Sequence, residues 1–181
     1  TDCSSCASYL KKYPELFTED TEQYNLAEQV SSRVHDMVKL IHTEKLPEIS
    51  QDKPLTVTYH DPCYLARYNK LERAPRELLR AAGVEIAELP RKERDAWCCG
   101  AGGGRLWMED IPSSGERPAE VRIREAAALQ GVDTIVTACP KDIVMFSDAI
   151  KTTGLEGRFF VRDLAHYVMD AIEEPMLEHL E

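Results

Sequence analysis

From residue 55 onward the hydrophobic pattern switches repeatedly between strand and helix periods, and that alternation limits the fold more than any other feature. LTVTYH (residues 55–60) is a β-branched strand run, and NKLERAPRELLRAA (69–82) is helical with a break or kink near Pro75. VEIAELP (84–90) predicts a second strand, and ERPAEVRIREAAALQG (116–131) a helix with proline near its start and glycine at its end. VDTIVTA (132–138), KDIVMFSDAIK (141–151), RFFV (158–161) and RDLAHYVMDAIEE (162–174) continue as strand, helix, strand and helix. Strands alternating with helices build an α/β fold: a small, mostly parallel sheet with helices on both faces.

The first fifty residues read differently. ASYLKKYPELF predicts a short helix ending near Pro14, and residues 22–46 a long amphipathic helix. PEISQDKP (47–54) is a polar, proline-flanked linker, so residues 1–50 and 51–181 are expected to be separate units.

Six cysteines fall on this outline: Cys3, Cys6, Cys63, Cys98, Cys99 and Cys139. The stretch AWCCGAGGGRLWMED sets two of them side by side, and adjacent residues cannot easily form a disulfide, which spans Cα atoms more than about 4 Å apart. The chain has 181 residues, no basic-then-apolar leader and clustered sulfurs, which favours metal or redox chemistry in a reducing compartment over a disulfide framework. It begins TDCSSC without an initiator Met, as expected of part of a longer or processed polypeptide. Its formal charge of −10 argues against a nucleic-acid surface, which needs Lys and Arg to neutralise phosphates. No run is long enough to span a bilayer.

Cys63 follows the first strand, Cys98 and Cys99 follow the second by a charged connection, and Cys139 follows the third directly. All four lie beyond the carboxyl ends of strands, where open α/β sheets bind ligands. Cys139 precedes Pro140 and a helix, a setting that favours thiolate. Glycines 100, 102, 103 and 104 let backbone approach a bulky group and aim amides at sulfur. Each element alone has a plainer reading, a flexible turn or a buried small cysteine. Their joint placement favours a cofactor site.

HDPCYLARYN, then AWCCGAGGGRLWMED, then IVTACPKDIVMF together resemble the cysteine-rich CCG domain, from about residue 55 to 173. That family includes heterodisulfide reductase subunits and the iron–sulfur subunits of glycolate, lactate and glycerol-3-phosphate dehydrogenases. The resemblance implies a [4Fe–4S] cluster on Cys63, Cys98, Cys99 and Cys139, with Gly100 in the cluster-binding loop. It departs from the family pattern at CPKD, which puts Asp142 where CPxC has a final cysteine. Four thiolates still suffice for a cluster; the departure bears on a five-cysteine centre. Asp142 then either sits near a labile iron or, more plainly, is an acidic first-turn residue.

The start TDCSSC resembles the closing CxxC of a preceding CCG domain. The resemblance therefore implies residues 1–50 as the tail of one domain and 51–181 as a complete second one, with Cys3 and Cys6 belonging to an upstream cluster. Implied partners are upstream CCG and ferredoxin-like segments and flavoprotein or membrane redox subunits. The implied location is cytoplasmic, with any membrane association through a partner.

Other residues are weighed against ordinary roles. His60 is expected to hydrogen-bond locally at a strand end and Asp61 to cap the turn. Arg67 and Arg105 either offset cluster charge or hold an anion, or are solvated; Trp97 and Trp107 are expected to pack in the core. The leading expectation is thus an oxidoreductase subunit relaying electrons through a cluster, with disulfide reduction or dehydrogenase-to-quinone transfer as its forms. The rival is a structural Zn²⁺ module on the same four cysteines. A thiol–disulfide enzyme at Cys3 and Cys6 lacks a strand of its own before the motif.

Overall fold

The computed structural model describes residues 1–43, 55–109 and 115–178, with side chains described through residue 171. The linker expected at 47–54 lies outside the described residues. β1 (Thr56–His60), β2 (Glu85–Ile86), β3 (Thr134–Thr137) and β4 (Phe160–Asp163) form one sheet in the order β2-β1-β3-β4. Every pairing is parallel, with His60 opposite Thr137 at the carboxyl end of the central pair. The order reverses between β1 and β3, so these two strands flank the switch point where such sheets open a crevice.

The two-residue period of a strand sorts the side chains. Val57 and Tyr59 of β1, with Val136 of β3, join Leu78 and Leu79 of α4 (Ala74–Ala81) and Leu164 and Val168 of α7 (Leu164–Glu178). On the other face Ile135 joins Ile123 of α5 (Pro118–Ala127) and Phe146 and Ile150 of α6 (Pro140–Thr152). Helices therefore cover both faces, and the polar residues His60 and Thr137 fall on the α5–α6 side. There they lie buried at the carboxyl end of the sheet.

The amino-terminal segment packs onto this core. α1 (Ser4–Leu10) lies against a π-helical turn at Tyr64–Tyr68, where Ser8 Oγ donates to Asn69 Oδ1 at 2.6 Å. The helix expected over 22–46 is two helices within the described part, α2 (Glu22–Arg33) and α3 (Met37–Thr43). Val34 turns extended (φ −79°, ψ 120°), and buried Asp36 restarts the helix by accepting the Val38 N–H at 3.0 Å. Val38 itself enters the α4–α7 core. Pro75 does not kink a helix but occupies the first turn of α4, where its missing N–H costs nothing. β2 is shorter than the VEIAELP pattern suggests, and β4 starts two residues later than RFFV.

Candidate functional site

Three segments bring their cysteines to the switch-point edge. Cys63 sits at the start of the π-helical turn, a rare geometry often found where a side chain must be re-aimed. The Cys98–Cys99 pair ends the loop that crosses from β2, and that loop is tied down by Arg67 of the π turn. Its Nε donates to the Arg94 carbonyl at 2.6 Å and its Nη2 to the Ala96 carbonyl. Arg67 thus ties down the approach to Cys98 through backbone carbonyls. Cys139 is the N-cap of α6, with Pro140 next, and accepts the Asp142 N–H on its carbonyl at 3.0 Å.

None of the six cysteines forms a disulfide. Cys98 is hydrogen-bonded by the thiols of Cys63 and Cys99 and by the Gly100 N–H at 3.4 Å, which together hold it far below the usual thiol range. The proton is correspondingly kept on Cys63 and Cys99, whose hydrogen bonds to Cys98, aided by burial, push both thiols up. Burial and the nearby Asp142 charge raise Cys139 to about 12. Within the trio of Cys63, Cys98 and Cys99, Cys98 is the sulfur whose surroundings most favour the ionised form. These contacts are pairwise: among the described residues no three His, Cys, Asp or Glu side chains surround one point as the donors of a single ion do.

Asp142 is in the first turn of α6 as expected, yet its carboxylate faces inward and is only 3% exposed. Burial raises it to about 6, against hydrogen bonds from Cys99 and from Thr137, whose Oγ1 lies 2.9 Å from Oδ2. His60 Nε2 stands 3.4 Å from the same oxygen. His60 is not locally bonded: its Nδ1 accepts from Arg122 Nε at 3.1 Å, and its ring packs edge-on against Phe146. Burial first, then the Arg122 charge, holds His60 well below its ordinary value, so it is neutral with its hydrogen on Nε2.

Arg122, fully buried on α5 and also bonded to Glu125, is not legible in the sequence as a site residue. Nor is Arg76, which meets Asp61 through two bonds of 2.7 and 2.9 Å and also grips Glu88. Asp61 in turn accepts the Glu93 N–H at 2.8 Å, anchoring the same loop that carries Cys98. Asp61 therefore secures a distant loop as well as its own turn. Trp97 and Trp107 are not core residues: they are 40% and 87% exposed, and Trp97 stacks beneath Arg91 with its guanidinium carbon 4.0 Å from the ring centroid. Cys3 and Cys6 lie with their sulfurs 2.9 Å apart, and Lys141 donates to Ser5 Oγ at 2.9 Å, docking α1 beside the start of α6. The Cys3 charge is close enough to contribute to the upward push on Cys139.

Four cysteine sulfurs brought to one sheet edge are a donor set that suits an iron–sulfur group. Comparison with known proteins agrees on the family. Residues 57–146 match the model of the CCG cysteine-rich domain. The probable iron-sulfur-binding oxidoreductase FadF of Bacillus subtilis is 34% identical over 140 residues, covering 72% of this chain and 19% of its own. The EtfAB:quinone oxidoreductase of Syntrophomonas wolfei is 35% identical over 143 residues, 76% of this chain and 20% of its own. One subunit of the dihydromethanophenazine:CoB–CoM heterodisulfide reductase of Methanosarcina barkeri is 33% identical over 140 residues, 75% of this chain and 32% of its own. The chain thus spans about a fifth of the length of the first two relatives and about a third of the last. With the match running from β1 into α6 and enclosing Cys63, Cys98, Cys99 and Cys139, the chain belongs to the CCG cysteine-rich domain family.

Proposed function

We propose that Cys63, Cys98, Cys99 and Cys139 hold a [4Fe–4S] cluster and that the protein relays electrons within an iron–sulfur oxidoreductase. The observation that carries this reading is the contact of Cys98 with both Cys63 and Cys99 at the switch edge, beside the α6 start that bears Cys139. Relatives named as iron-sulfur-binding and quinone-linked oxidoreductases support it. When bound, the cluster supplies one-electron transfer at a potential set by its surroundings.

The chain's own residues do the rest. Each cysteine binds metal as a thiolate, so thiol protons are released as the site fills. The Gly100 N–H hydrogen-bonds the Cys98 sulfur, and Arg67 and Asp61 hold the loop that delivers it. Arg122, buried behind His60, places a fixed positive charge near an otherwise anionic site.

By the same reading, residues 1–50 are the tail of a preceding CCG domain and 51–181 the second. Cys3 and Cys6 then belong to a further cluster, docked beside this one through Ser5 and Lys141. Electrons pass between a flavoprotein or ferredoxin-type donor and a quinone, disulfide or membrane-bound partner, from the cytoplasmic side.

The test is anaerobic purification with iron, sulfide and zinc analysis. About four irons and four sulfides per site, lost in Cys98→Ala and Cys99→Ala, support the cluster. One zinc held by the same cysteines, in a colourless folded protein, replaces electron relay with a structural role.

A further inference from the structure

Among the described residues Arg122 is the largest side chain with no exposed surface, and its hydrogen-bonding groups are only partly answered. Its Nε donates to His60 Nδ1 and its Nη1 to Glu125 Oε2, both at 3.1 Å, while no described atom accepts from Nη2. Glu125 is shared, because Arg91 donates to its other oxygen from Nε at 2.8 Å and from Nη2. Asp61, next to His60, is gripped through both oxygens by Arg76, and Asp142 stands on the far side of the imidazole, 3.4 Å from Nε2. An arginine does not lose its proton in proteins. The interior therefore carries a permanent cation with a donor left over, an arrangement that costs stability unless an anion lies near.

The position of Arg122 on α5 puts that charge behind the cysteine loop. Pro118 and Arg122 are four residues apart, so they share one face of the helix, about 6 Å apart along its axis. Pro118 abuts the loop directly: a Cβ on Gly100 would lie 3.3 Å from its Cγ, and the Gly100 N–H bonds the Cys98 sulfur at 3.4 Å. Cys99 belongs to the same buried cluster as Ala119 and Ile123 of α5 and Phe146, whose ring packs on His60. His60 ends β1 three residues before Cys63, and its ladder partner Thr137 lies two before Cys139. All three cysteine-bearing segments thus converge on the ground that Arg122 and His60 occupy. The imidazole adds no charge of its own, since a ring nitrogen that accepts a hydrogen bond carries no proton.

We infer that Arg122 sets the reduction potential of the cluster, its buried charge favouring the reduced form. This rests on the cluster reading above and deepens it. Four thiolates make the site anionic, and reduction adds one electron from the donor while breaking no bond. A cation held nearby in a medium of low dielectric stabilises the more negative state, so removing it makes reduction harder. A guanidinium suits this task because it stays charged and its planar fork is fixed, here by His60 and Glu125. Burial also keeps salt from screening it, as it would screen an arginine at the surface.

The experiment is an anaerobic potentiometric titration of the intact protein with dithionite and mediators, read by electron paramagnetic resonance, in wild type, Arg122→Gln, Arg122→Lys and Glu125→Gln. Iron and sulfide content are measured on each sample, and circular dichroism confirms the fold. In Arg122→Gln the reduction equilibrium constant should fall about tenfold, the scale for one unit charge acting across roughly 10 Å at an effective dielectric of about 20. For a one-electron couple that is a midpoint lower by about 59 mV. Arg122→Lys keeps the charge and should stay near the wild-type midpoint. Glu125→Gln removes the carboxylate that offsets Arg122 and should move the midpoint up. A wild-type midpoint in Arg122→Gln at equal iron content overturns the inference. So does an Arg122→Lys midpoint that falls with it, which would leave the arginine a strut for His60 alone. If Arg122→Gln does not fold, Glu125→Gln decides, and an unmoved midpoint there overturns the inference. A wild-type protein holding no iron and sulfide overturns the cluster reading, and this inference with it.

Discussion

Arg122 donates its Nε hydrogen to Nδ1 of His60 at 3.1 Å, joining α5 to the end of β1 across 62 positions of sequence. Both side chains are buried, so the arginine decides which imidazole nitrogen carries the hydrogen. Arg122→Met removes the donor to His60 and leaves Glu125 with Arg91 alone. We expect a loss of about 1–3 kcal/mol, the usual scale for leaving a buried hydrogen-bonding group without its partner, read by urea unfolding. A loss below about 0.5 kcal/mol, the ordinary surface range, would show that the contact is dispensable.

The Asp61–Arg76 pair governs the loop before Cys98, because Asp61 also accepts the Glu93 N–H. Arg76→Leu strands a buried carboxylate and should cost roughly 3–5 kcal/mol. Adding Asp61→Asn should recover part of that loss. A double-mutant cycle measures the coupling, and strict additivity would contradict a direct pair.

Glu88 gives the pH dependence its sign. Burial pushes this carboxyl up, but the hydrogen bonds and charge of Arg76 outweigh it and hold Glu88 below its ordinary value of 4.5. A carboxyl held low in the folded state contributes stability that is present above 4.5 and is lost as pH falls through the folded value. Glu88→Gln should therefore be less stable than wild type at about pH 7. The gap should narrow on acidification below about pH 4.5, as measured by denaturation at each pH. A gap that stays constant from about pH 7 to about pH 3 would remove Glu88 from the acid response.

Arg67 acts on Cys98 through the backbone of residues 94 and 96. Arg67→Ala should cost about 1–2 kcal/mol through the carbonyls it deserts. It should also speed amide exchange over residues 93–98 more than over β3, and lower iron per chain. Unchanged exchange in that segment would place the arginine's role elsewhere.

Gly100 has φ +88°, and a Cβ there would meet Pro118 Cγ at 3.3 Å. Gly100→Ala should therefore cost on the order of 1–2 kcal/mol from backbone conformation alone. The peptide that hydrogen-bonds Cys98 should shift with it, and iron content should fall. Gly103, also at positive φ but with open space around it, is the control: Gly103→Ala should lose stability and keep its iron.

The layer architecture is legible because Val57, Tyr59, Ile135 and Val136 write the strand period plainly into the chain. The four cysteines stand out because strand ends are visible in the same pattern. Arg122 and Arg76 do not, since an arginine in an amphipathic helix reads as a solvent-facing residue and only the tertiary fold supplies its carboxylate or imidazole. Trp97 and Trp107 mislead for the opposite reason: large rings signal a core, yet Trp97 finds Arg91 at the surface instead. The break at Val34 is hidden because apolar residues continue at helical steps across it, while the stop depends on the Asp36 cap.

His60 and Thr137 face each other as ladder partners, and Cys63 and Cys139 lie three and two residues beyond them. The distance between those two arms starts from the spacing of neighbouring strands, about 4.8 Å, and not from anything the site binds. The sheet is in this sense a ruler cut by the backbone itself. The spacing of the two arms is thus set by backbone pairing, in which neither cysteine takes part. Exchanging one thiol for a carboxylate, as CPKD does relative to CPxC, alters the chemistry at the edge and leaves the measuring scaffold untouched.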